Sequence, residues 1–341
     1  YPFVEKDALR DFTEKAHKKN ILVKLYYTIR EFSIYANEFR AFRDLEYDIF
    51  MKNSDINQDL LWQGEMKKWM KDNVGDDVIP AWRENLKGDK YHDSFDASII
   101  TDGQSRMANF YIAGLQELID SCDIDGLYID DAVIDRQTLR RAKRVMSQKK
   151  NFIDFHSWNH FDSRAGYTSS SLLYMELFPY IDKLWLGEDF DYNKPFDYWL
   201  IEISGIPFGL MSEMLQNGGN QWEGLNFGMT NRFGWLEGFS PEAVWNIFDK
   251  YLSDTELVGF WHGKNPVVLS NHNIKASLYT KPNADYIVVS NPTDSVQETM
   301  ISFKNAKLSI PYIKDFQNET DCPGLISIPP HKGYLIIAET H

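Results

Sequence analysis

The sequence has few of the residues that build disulfide frameworks and metal sites. Only two cysteines, Cys122 and Cys322, occur in 341 residues, and they lie far apart in the chain. Their spacing indicates neither a cysteine-based metal site nor a particular disulfide, so the cellular compartment stays open, a periplasmic or secreted location included. The motifs His-Glu-x-x-His and His-x-His are also absent. We therefore predict no metal and no cofactor.

Long apolar runs and an excess of basic charge are missing too. No stretch approaches the ~20 apolar residues that a membrane-spanning helix requires. Lys and Arg number 36 against 50 Asp and Glu, which gives a formal net charge of −14 and opposes binding to nucleic acid or anionic membranes. We predict neither a nucleic-acid partner nor membrane insertion. The chain opens on Tyr1-Pro2-Phe3 without a Met, which indicates a fragment or a processed chain.

The sequence is rich in residues that build a core, because 43% are hydrophobic and 15% are aromatic. Its length exceeds the roughly 250–300 residues at which single domains stop growing, so we predict one large domain and one small domain. From Asn20 onward, strand-like runs alternate with helix-length segments, which is typical of an α/β fold with a parallel sheet. The predicted strands are 21–28, 97–103, 125–131, 151–158, 183–190, 206–214 and 256–263.

The predicted helices precede or separate these strands, at 4–19, about 105–121, 136–148, 170–180, about 196–204 and 241–253. Seven strands after an unpartnered helix predict a (β/α)8 barrel of the TIM type over residues 1–265, with its first strand before Tyr1. A doubly wound sheet is the rival architecture. We favour the barrel because no strand is followed by Gly-x-Gly-x-x-Gly. Residues 31–96, rich in charge, are predicted to form an elaborated insertion.

After about Pro266 the pattern changes. Residues 266–341 alternate with a period of two, carry Pro-Asn and Asn-Pro-Thr-Asp turns and show no helical stripe. We predict a small all-β sandwich domain here.

The stretch Asp-Ile-Asp-Gly-Leu-Tyr-Ile-Asp-Asp, residues 123–131, ends an apolar run on two acids. Alternation along a strand places Leu127 and Ile129 on one face, and Tyr128 and Asp130 on the other. Active sites of (β/α)8 barrels lie at the carboxyl ends of the strands. Asp130 is therefore our candidate nucleophile or charge stabiliser, with Asp131 in reserve.

Other predicted strands also end on acids, and this pattern favours glycoside hydrolysis. That reaction uses one carboxylate at the anomeric carbon and a second, protonated one that releases the leaving oxygen. Glu188 is the candidate general acid/base, and Glu213 is the reserve for that role. The predicted substrate-binding residues are the aromatic and polar side chains Tyr27, Arg30, His156, Trp158, Asp189, Asn231, Arg232 and Trp261.

Two charged residues lie inside predicted strands, where burial requires a partner. We predict an ion pair between Lys24 and Asp154 beneath the site.

Two other functions use the same residues. Asp102, Asp130, Asp131 and His156 are a possible ligand set for a divalent cation in a metal-dependent hydrolase. A non-catalytic carbohydrate-binding protein needs the aromatic residues without two acids at a fixed separation.

The motif Asp-Gly-Leu-Tyr-Ile-Asp-Asp resembles the fourth strand of the α-glucosidase and α-galactosidase clans. The resemblance implies that Asp130 is the nucleophile and that Glu188, or Asp189, is the acid/base. The chitinase motif Asp-Gly-x-Asp-x-Asp-x-Glu is a poorer match, because Tyr128 replaces one of its Asp residues and Ala132 its Glu.

A fuller resemblance covers about residues 1–263 and is carried by YPF, LYYTIRE, IDGLYIDDAVIDR, FPYIDKLWLGEDFDY, SGIPFGLMSEML and GMTNRFGW. These segments resemble bacterial proteins grouped with glycoside hydrolase family 123, the β-N-acetylgalactosaminidase family. The resemblance implies a glycosidase in which an adjacent Asp-Glu pair assists attack by the acetamido group of the substrate. This sequence departs from that pair, since its strand-tip pairs are Asp130-Asp131 and Glu188-Asp189. From residues and resemblance together we expect a retaining glycoside hydrolase that acts on an oligo- or polysaccharide.

Overall fold

The computed structural model describes residues 5–45, 49–51, 80–84, 94–130, 134–148, 150–159, 166–213, 220–230, 241–304, 306–310, 320–322 and 324–339. The chain divides into two compact units. The first unit comprises Tyr1–Ser157 and Tyr174–Asp182, and the second comprises Trp158–Leu173 and Lys183–His341.

The described part of the first unit contains six strands. They are β1 (Lys24–Tyr26), β2 (Glu31–Ser33), β3 (Pro80–Glu84), β4 (Ser94–Ser98), β5 (Gly126–Ile129) and β6 (Phe152–His156). Strand β5 pairs in parallel with β1 on one side and with β6 on the other. Tyr128 is in register with Tyr26 and with Asp154. The strands predicted at 21–28, 125–131 and 151–158 are therefore confirmed.

The described helices of this unit are Lys6–His17, Phe39–Arg43, Arg106–Cys122 and Arg136–Met146, with a 3-10 helix at Met175–Tyr180. Two of them begin at side-chain caps. Ser105 accepts a hydrogen bond from the Met107 amide, and Asp135 accepts from the amides of Gln137 and Thr138. Such side chains satisfy amides that have no partner within the helix. The two parallel strand pairs are thus separated along the chain by capped helices.

The strand predicted at 97–103 is not part of the parallel sheet. Strand β4 pairs antiparallel with β2 and with β3, and the three form a separate sheet. The apolar run at 97–100 misled the sequence prediction, because a short apolar run does not reveal the direction of its partner strand. This sheet lies in the insertion that we predicted at 31–96.

The described part of the second unit begins with a parallel pair, β7 (Lys183–Trp185) and β8 (Met211–Ser212). Its helical segments are Gln221–Leu225, Glu242–Ile247, the single turn Phe196–Tyr198, the π-helical turns Trp199–Ile203 and Phe248–Leu252, and the 3-10 turn Ile206–Phe208. The helix Ser170–Tyr174 crosses from the second unit into the first.

The other strands in the described part of the second unit pair antiparallel. Its strands are β9 (Glu256–Val258), β10 (Val267–Leu269), β11 (Lys275–Lys281), β12 (Ala284–Ser290), β13 (Gln297–Thr299), β14 (Ile301–Phe303), β15 (Lys307–Ile310), β16 (Thr320–Asp321), β17 (Ile326–Ile328) and β18 (Gly333–Glu339). Six of them form one sheet in the order β16-β15-β18-β12-β11-β9.

Two smaller pairs, β10-β14 and β13-β17, complete this part of the unit. Ile287 and Ile336 of the large sheet share one buried core with Phe303 and Ile328 of the pairs. Strands from different sheets that bury one common core are typical of a sandwich.

Strand β9 corrects the prediction that 256–263 is a barrel strand. It pairs antiparallel with β11, with Leu257 opposite Tyr279, so it belongs to the large antiparallel sheet. The domain boundary near residue 265 stays a prediction, and this pairing favours a boundary earlier in the chain.

Buried polar contacts join the helix Gln221–Leu225 and the residues after it to this sheet. Ser277 Oγ donates to the Asn226 carbonyl at 2.8 Å, and Asn226 Nδ2 donates to Ser290 Oγ at 2.6 Å. All three residues are fully buried, so each bond satisfies groups that water does not reach.

Within the described residues, no helix combines the length and the apolar composition that crossing a membrane requires.

Gly126 explains why the strand motif carries a glycine at its start. A Cβ at this position would lie 2.4 Å from the Phe152 carbonyl oxygen and 3.0 Å from the Phe152 Cβ. The close approach of β5 to β6 therefore requires a residue without a side chain.

We expect Gly126→Ala to lower the free energy of unfolding by about 1–3 kcal/mol, because the backbone of β6 must move to admit the methyl group. Gly263→Ala is the matched control, since a Cβ at Gly263 would have no heavy atom within 4 Å. Denaturant unfolding of both variants measures the difference. Equal stability of the two variants would contradict the tight approach of the strands.

Candidate active site

One face of the parallel sheet in the first unit is polar and the other is apolar. Leu127, Ile129, Ile153 and Phe155 of β5 and β6 are fully buried. The alternate positions carry the polar and aromatic side chains Lys24, Tyr26, Tyr128, Asp130, Asp154 and His156. The alternation predicted for the stretch 123–131 is therefore confirmed, and it determines which side chains meet Asp130.

Asp130 directly follows β5, and both of its carboxylate oxygens accept hydrogen bonds. His156 Nδ1, at the end of β6, donates to Oδ1, and the Tyr26 hydroxyl donates to Oδ2 at 2.8 Å. Thr28 Oγ1 donates to the backbone carbonyl of Asp130 at 3.0 Å. The carboxylate, with 20% of its side chain exposed, is thus fixed in direction from two neighbouring strands.

The segment that follows β1 brings a cation and a second acid to Asp130. Arg30 Nη2 lies 3.9 Å from Asp130 Oδ2 and 3.3 Å from Glu31 Oε2. The Tyr26 hydroxyl lies 3.0 Å from Glu31 Oε1. One hydroxyl therefore touches two carboxyl groups.

The surroundings separate the protonation states of these two acids. Burial alone would raise the pKa of Asp130, but the hydrogen bond and charge of His156, the Tyr26 hydroxyl and the Arg30 guanidinium hold it below its usual range. Burial raises the pKa of Glu31 to about 7, against the opposing charge of Arg30. Asp130 therefore holds a negative charge more readily than Glu31 does, although Tyr26 and Arg30 lie beside both.

Three rings line this face beside Asp130. Tyr26 stacks on Tyr128 with ring centroids 5.9 Å apart, and Tyr128 stacks on His156 at the same distance. The residue Tyr26 is 54% exposed. Burial of its hydroxyl and the negative charges of Asp130 and Glu31 raise the pKa of Tyr26, so this hydroxyl keeps its proton.

The ion pair predicted between Lys24 and Asp154 is confirmed. Lys24 Nζ donates to Asp154 Oδ2, and Asp154 is almost fully buried. The pair lies on the same face as Asp130, towards the start of the strands, and neutralises a charge that burial would otherwise disfavour.

In the second unit, Glu188 and Asp189 follow β7 as predicted. The Glu188 side chain is partly exposed, and its backbone carbonyl accepts from the Asn159 amide at 3.1 Å. Trp158 Nε1 donates to Asp189 Oδ2. Asp189 has a φ of 55°, a left-handed conformation that Asp tolerates better than most residues. The structure thus brings Trp158 and Asp189 together beside the backbone of Glu188.

Glu213 and Trp261 have partners of their own within this unit. Lys183 Nζ lies 2.9 Å from Glu213 Oε1, so the two side chains form an ion pair. The Trp261 ring stacks on Phe227 with centroids 5.3 Å apart and lies over Gly259. Trp261 stays partly exposed.

Tyr27 is one predicted site residue whose surroundings argue against the prediction. It is 5% exposed and donates from its hydroxyl to the Tyr111 carbonyl at 2.9 Å. Tyr111 donates in return to the Tyr27 carbonyl. Alternation turns Tyr27 into the core and Tyr26 towards Asp130, so Tyr26 takes its place in our site.

Three predicted residues, Asp131, Asn231 and Arg232, lie outside the described residues.

Tyr26 and Glu31 are the residues that sequence reasoning missed. Both belong to the segment Leu-Tyr-Tyr-Thr-Ile-Arg-Glu, and Glu31 ends it in the way that Asp130 ends its own strand. The sequence signal for Glu31 is that an acid follows, within a few residues, a strand with a polar face.

Asp102, Asp130 and His156 are the members of the ligand set considered for a metal that lie in the described part of the chain. Asp102 Oδ1 accepts from the amides of Gln104 and Ser105 in the turn before a helix. In the described part of the chain, no three His, Cys, Asp or Glu side chains are grouped to hold a metal ion.

Comparison with known structures shows the fold. An α-amylase from Anoxybacillus matches with a TM-score of 0.59 at 11% identity, over 98% of this chain and 79% of that one. An α-amylase from Geobacillus thermoleovorans, complexed with acarbose, has a TM-score of 0.57 at 11% identity, over 98% and 81%. A maltogenic α-amylase from Thermotoga neapolitana has 0.55 at 10% identity, over 98% and 82%. A search of curated proteins finds no match.

Two family models match the sequence itself. The model described as glycoside hydrolase 123, TIM-barrel domain, covers residues 1–234. The model described as glycoside hydrolase 123, C-terminal domain, covers residues 240–339. These matches confirm the predicted barrel, the following β domain and the family resemblance. The chain therefore belongs to glycoside hydrolase family 123, and it is a glycosidase that acts on oligo- or polysaccharides.

Proposed function

We propose that Asp130 is the ionised carboxylate that faces the anomeric carbon of the substrate, and that Glu188 is the general acid/base. The observation that carries the proposal is the set of donors around Asp130. His156, Tyr26 and Arg30 all favour its charged form. A negative charge held in place stabilises the positive charge that develops on the sugar ring in the transition state.

The engagement of both Asp130 oxygens favours charge stabilisation over direct attack. Attack on carbon consumes the negative charge of a carboxylate and so weakens the hydrogen bonds that His156 and Tyr26 make to its oxygens. Stabilisation requires no such change. Attack by an acetamido group of the substrate, as the family resemblance implies, agrees with this role and leads to retention of configuration.

Support for Glu188 comes from its position and from its neighbours. It follows an apolar strand, remains partly exposed, and lies next to Asp189, which Trp158 holds by a hydrogen bond. Glu213, the reserve, is paired with Lys183. Tryptophan and tyrosine rings offer flat apolar faces to sugar rings, which suits Trp158 and Tyr26 for substrate binding.

For Asp130→Asn we expect a loss of kcat by about 10³-fold or more, because the amide cannot supply the negative charge. The measurement is release of product from a panel of oligosaccharides and aryl glycosides. Asp120→Asn is the matched control, because Asp120 is exposed on the helix Arg106–Cys122. Near-normal activity of Asp130→Asn on a substrate that the wild type cleaves would overturn the assignment.

For Glu188→Gln we expect a loss of about 10²–10⁴-fold on substrates with a poor leaving group. Aryl glycosides whose leaving group departs without a proton should lose far less, because they do not need the acid for that step. Comparison of kcat/KM across leaving groups measures this, with Glu176→Gln, an exposed position, as control. An equal loss on every leaving group contradicts an acid role for Glu188.

A further inference from the structure

A single hydroxyl lies between two carboxyl groups in the first unit. The Tyr26 oxygen is 2.8 Å from Asp130 Oδ2 and 3.0 Å from Glu31 Oε1. A tyrosine hydroxyl has one hydrogen and can donate to one acceptor at a time. If both carboxyl groups were ionised, one of them would face a lone pair of the Tyr26 oxygen with no hydrogen between them. The geometry therefore demands a second proton.

Glu31 is the better place for that proton. It is 8% exposed, and its charged form would be poorly solvated. Asp130 already accepts a hydrogen bond from His156, and that bond stabilises its ionised form. Of the charged groups that face Glu31, Arg30 favours ionisation, whereas Asp96 on β4 and Asp130 oppose it.

We infer that Glu31 is a positioning residue whose carboxylic acid donates to the Tyr26 oxygen and thereby directs the single Tyr26 hydrogen onto Asp130. The inference rests on the proposed role of Asp130. When Glu31 releases its proton to solvent, two anions compete for the Tyr26 hydrogen. Asp130 then loses its donor for part of the time, and a second negative charge lies beside it.

This arrangement gives activity a dependence on pH that neither Asp130 nor a purely structural Glu31 would cause. Burial raises the pKa of Glu31 to about 7. Activity should therefore be full when Glu31 is protonated and should fall as the pH rises through about 7. Gln at position 31 keeps a donor towards Tyr26 at every pH, since its amide does not titrate.

The first experiment measures kcat and kcat/KM against pH for the wild type, Glu31→Gln, Glu31→Ala and Tyr26→Phe. We expect Glu31→Gln to retain most of the wild-type rate below pH 7 and to lack the fall above it. Tyr26→Phe should lose about 10–100-fold in kcat with KM little altered, since it removes a hydrogen bond to the charged carboxylate of Asp130. Glu31→Ala should lose less and should also lack the fall above pH 7, because no second carboxylate then competes with Asp130 for the Tyr26 hydrogen.

Two outcomes overturn the inference. If the activity of Glu31→Gln falls above pH 7 as it does in the wild type, a group other than Glu31 titrates. A loss in Glu31→Gln as large as in Tyr26→Phe would mean that Glu31 must itself transfer its proton, and would make it a catalytic acid.

A second experiment tests Glu31 without activity, so that failure of the proposed function is distinguishable. The pKa of Glu31 is raised from 4.5 in the folded protein, so the folded chain binds this proton more tightly than the unfolded chain. Its contribution to the free energy of unfolding is full below pH 4.5 and is lost as the pH rises through about 7.

Denaturant unfolding at a series of pH values should show this decline in the wild type and in Glu176→Gln, and a flatter profile in Glu31→Gln. Parallel profiles of all three proteins overturn the inference. If no glycoside is cleaved by any variant but the stability profiles differ as expected, the proton on Glu31 stands and the proposed role of Asp130 fails.

Discussion

The site depends on one constraint, the negative charge of Asp130 in a partly buried position. A carboxylate taken out of water is unfavourable unless donors and positive charge surround it. His156 and Tyr26 each donate to one of its oxygens, and Arg30 adds positive charge. Two neighbouring strands and the segment after β1 must therefore be held in register for the charge to persist. In this way the parallel sheet of the first unit serves the chemistry directly.

Register in turn depends on how closely the strands approach. Gly126 admits the backbone of β6 at a distance that any side chain would prevent. Lys24 and Asp154 then pair across the same face, towards the start of the strands. Polar groups so placed specify which residues of neighbouring strands lie opposite each other, because a slip by one residue would bury each charge without its partner.

Much of this was accessible from the sequence because it is local. Alternation identified Asp130 and separated it from Leu127 and Ile129, and the demand that buried charges be paired identified Lys24 with Asp154. Alternation does not reveal which face of β1 meets Asp130, so the sequence analysis predicts Tyr27 at the site, whereas Tyr26 is the residue that contacts Asp130. The runs at 97–103 and 256–263 were also assigned to the barrel, because strand character does not reveal the partner of a strand. In the structure those partners are antiparallel.

The sequence by itself determined the fold class, the division into a barrel and a β domain, and the acid at the end of β5, since periodicity, caps and turn residues act over a few positions. Only the tertiary structure decided the protonation state of that acid, Asp130. Protonation depends on groups that lie far apart in the chain and within hydrogen-bonding distance in space. Tyr26 and Glu31 are about a hundred residues from Asp130, and the burial of Glu31, which opposes its charge, exists only when the strands have paired.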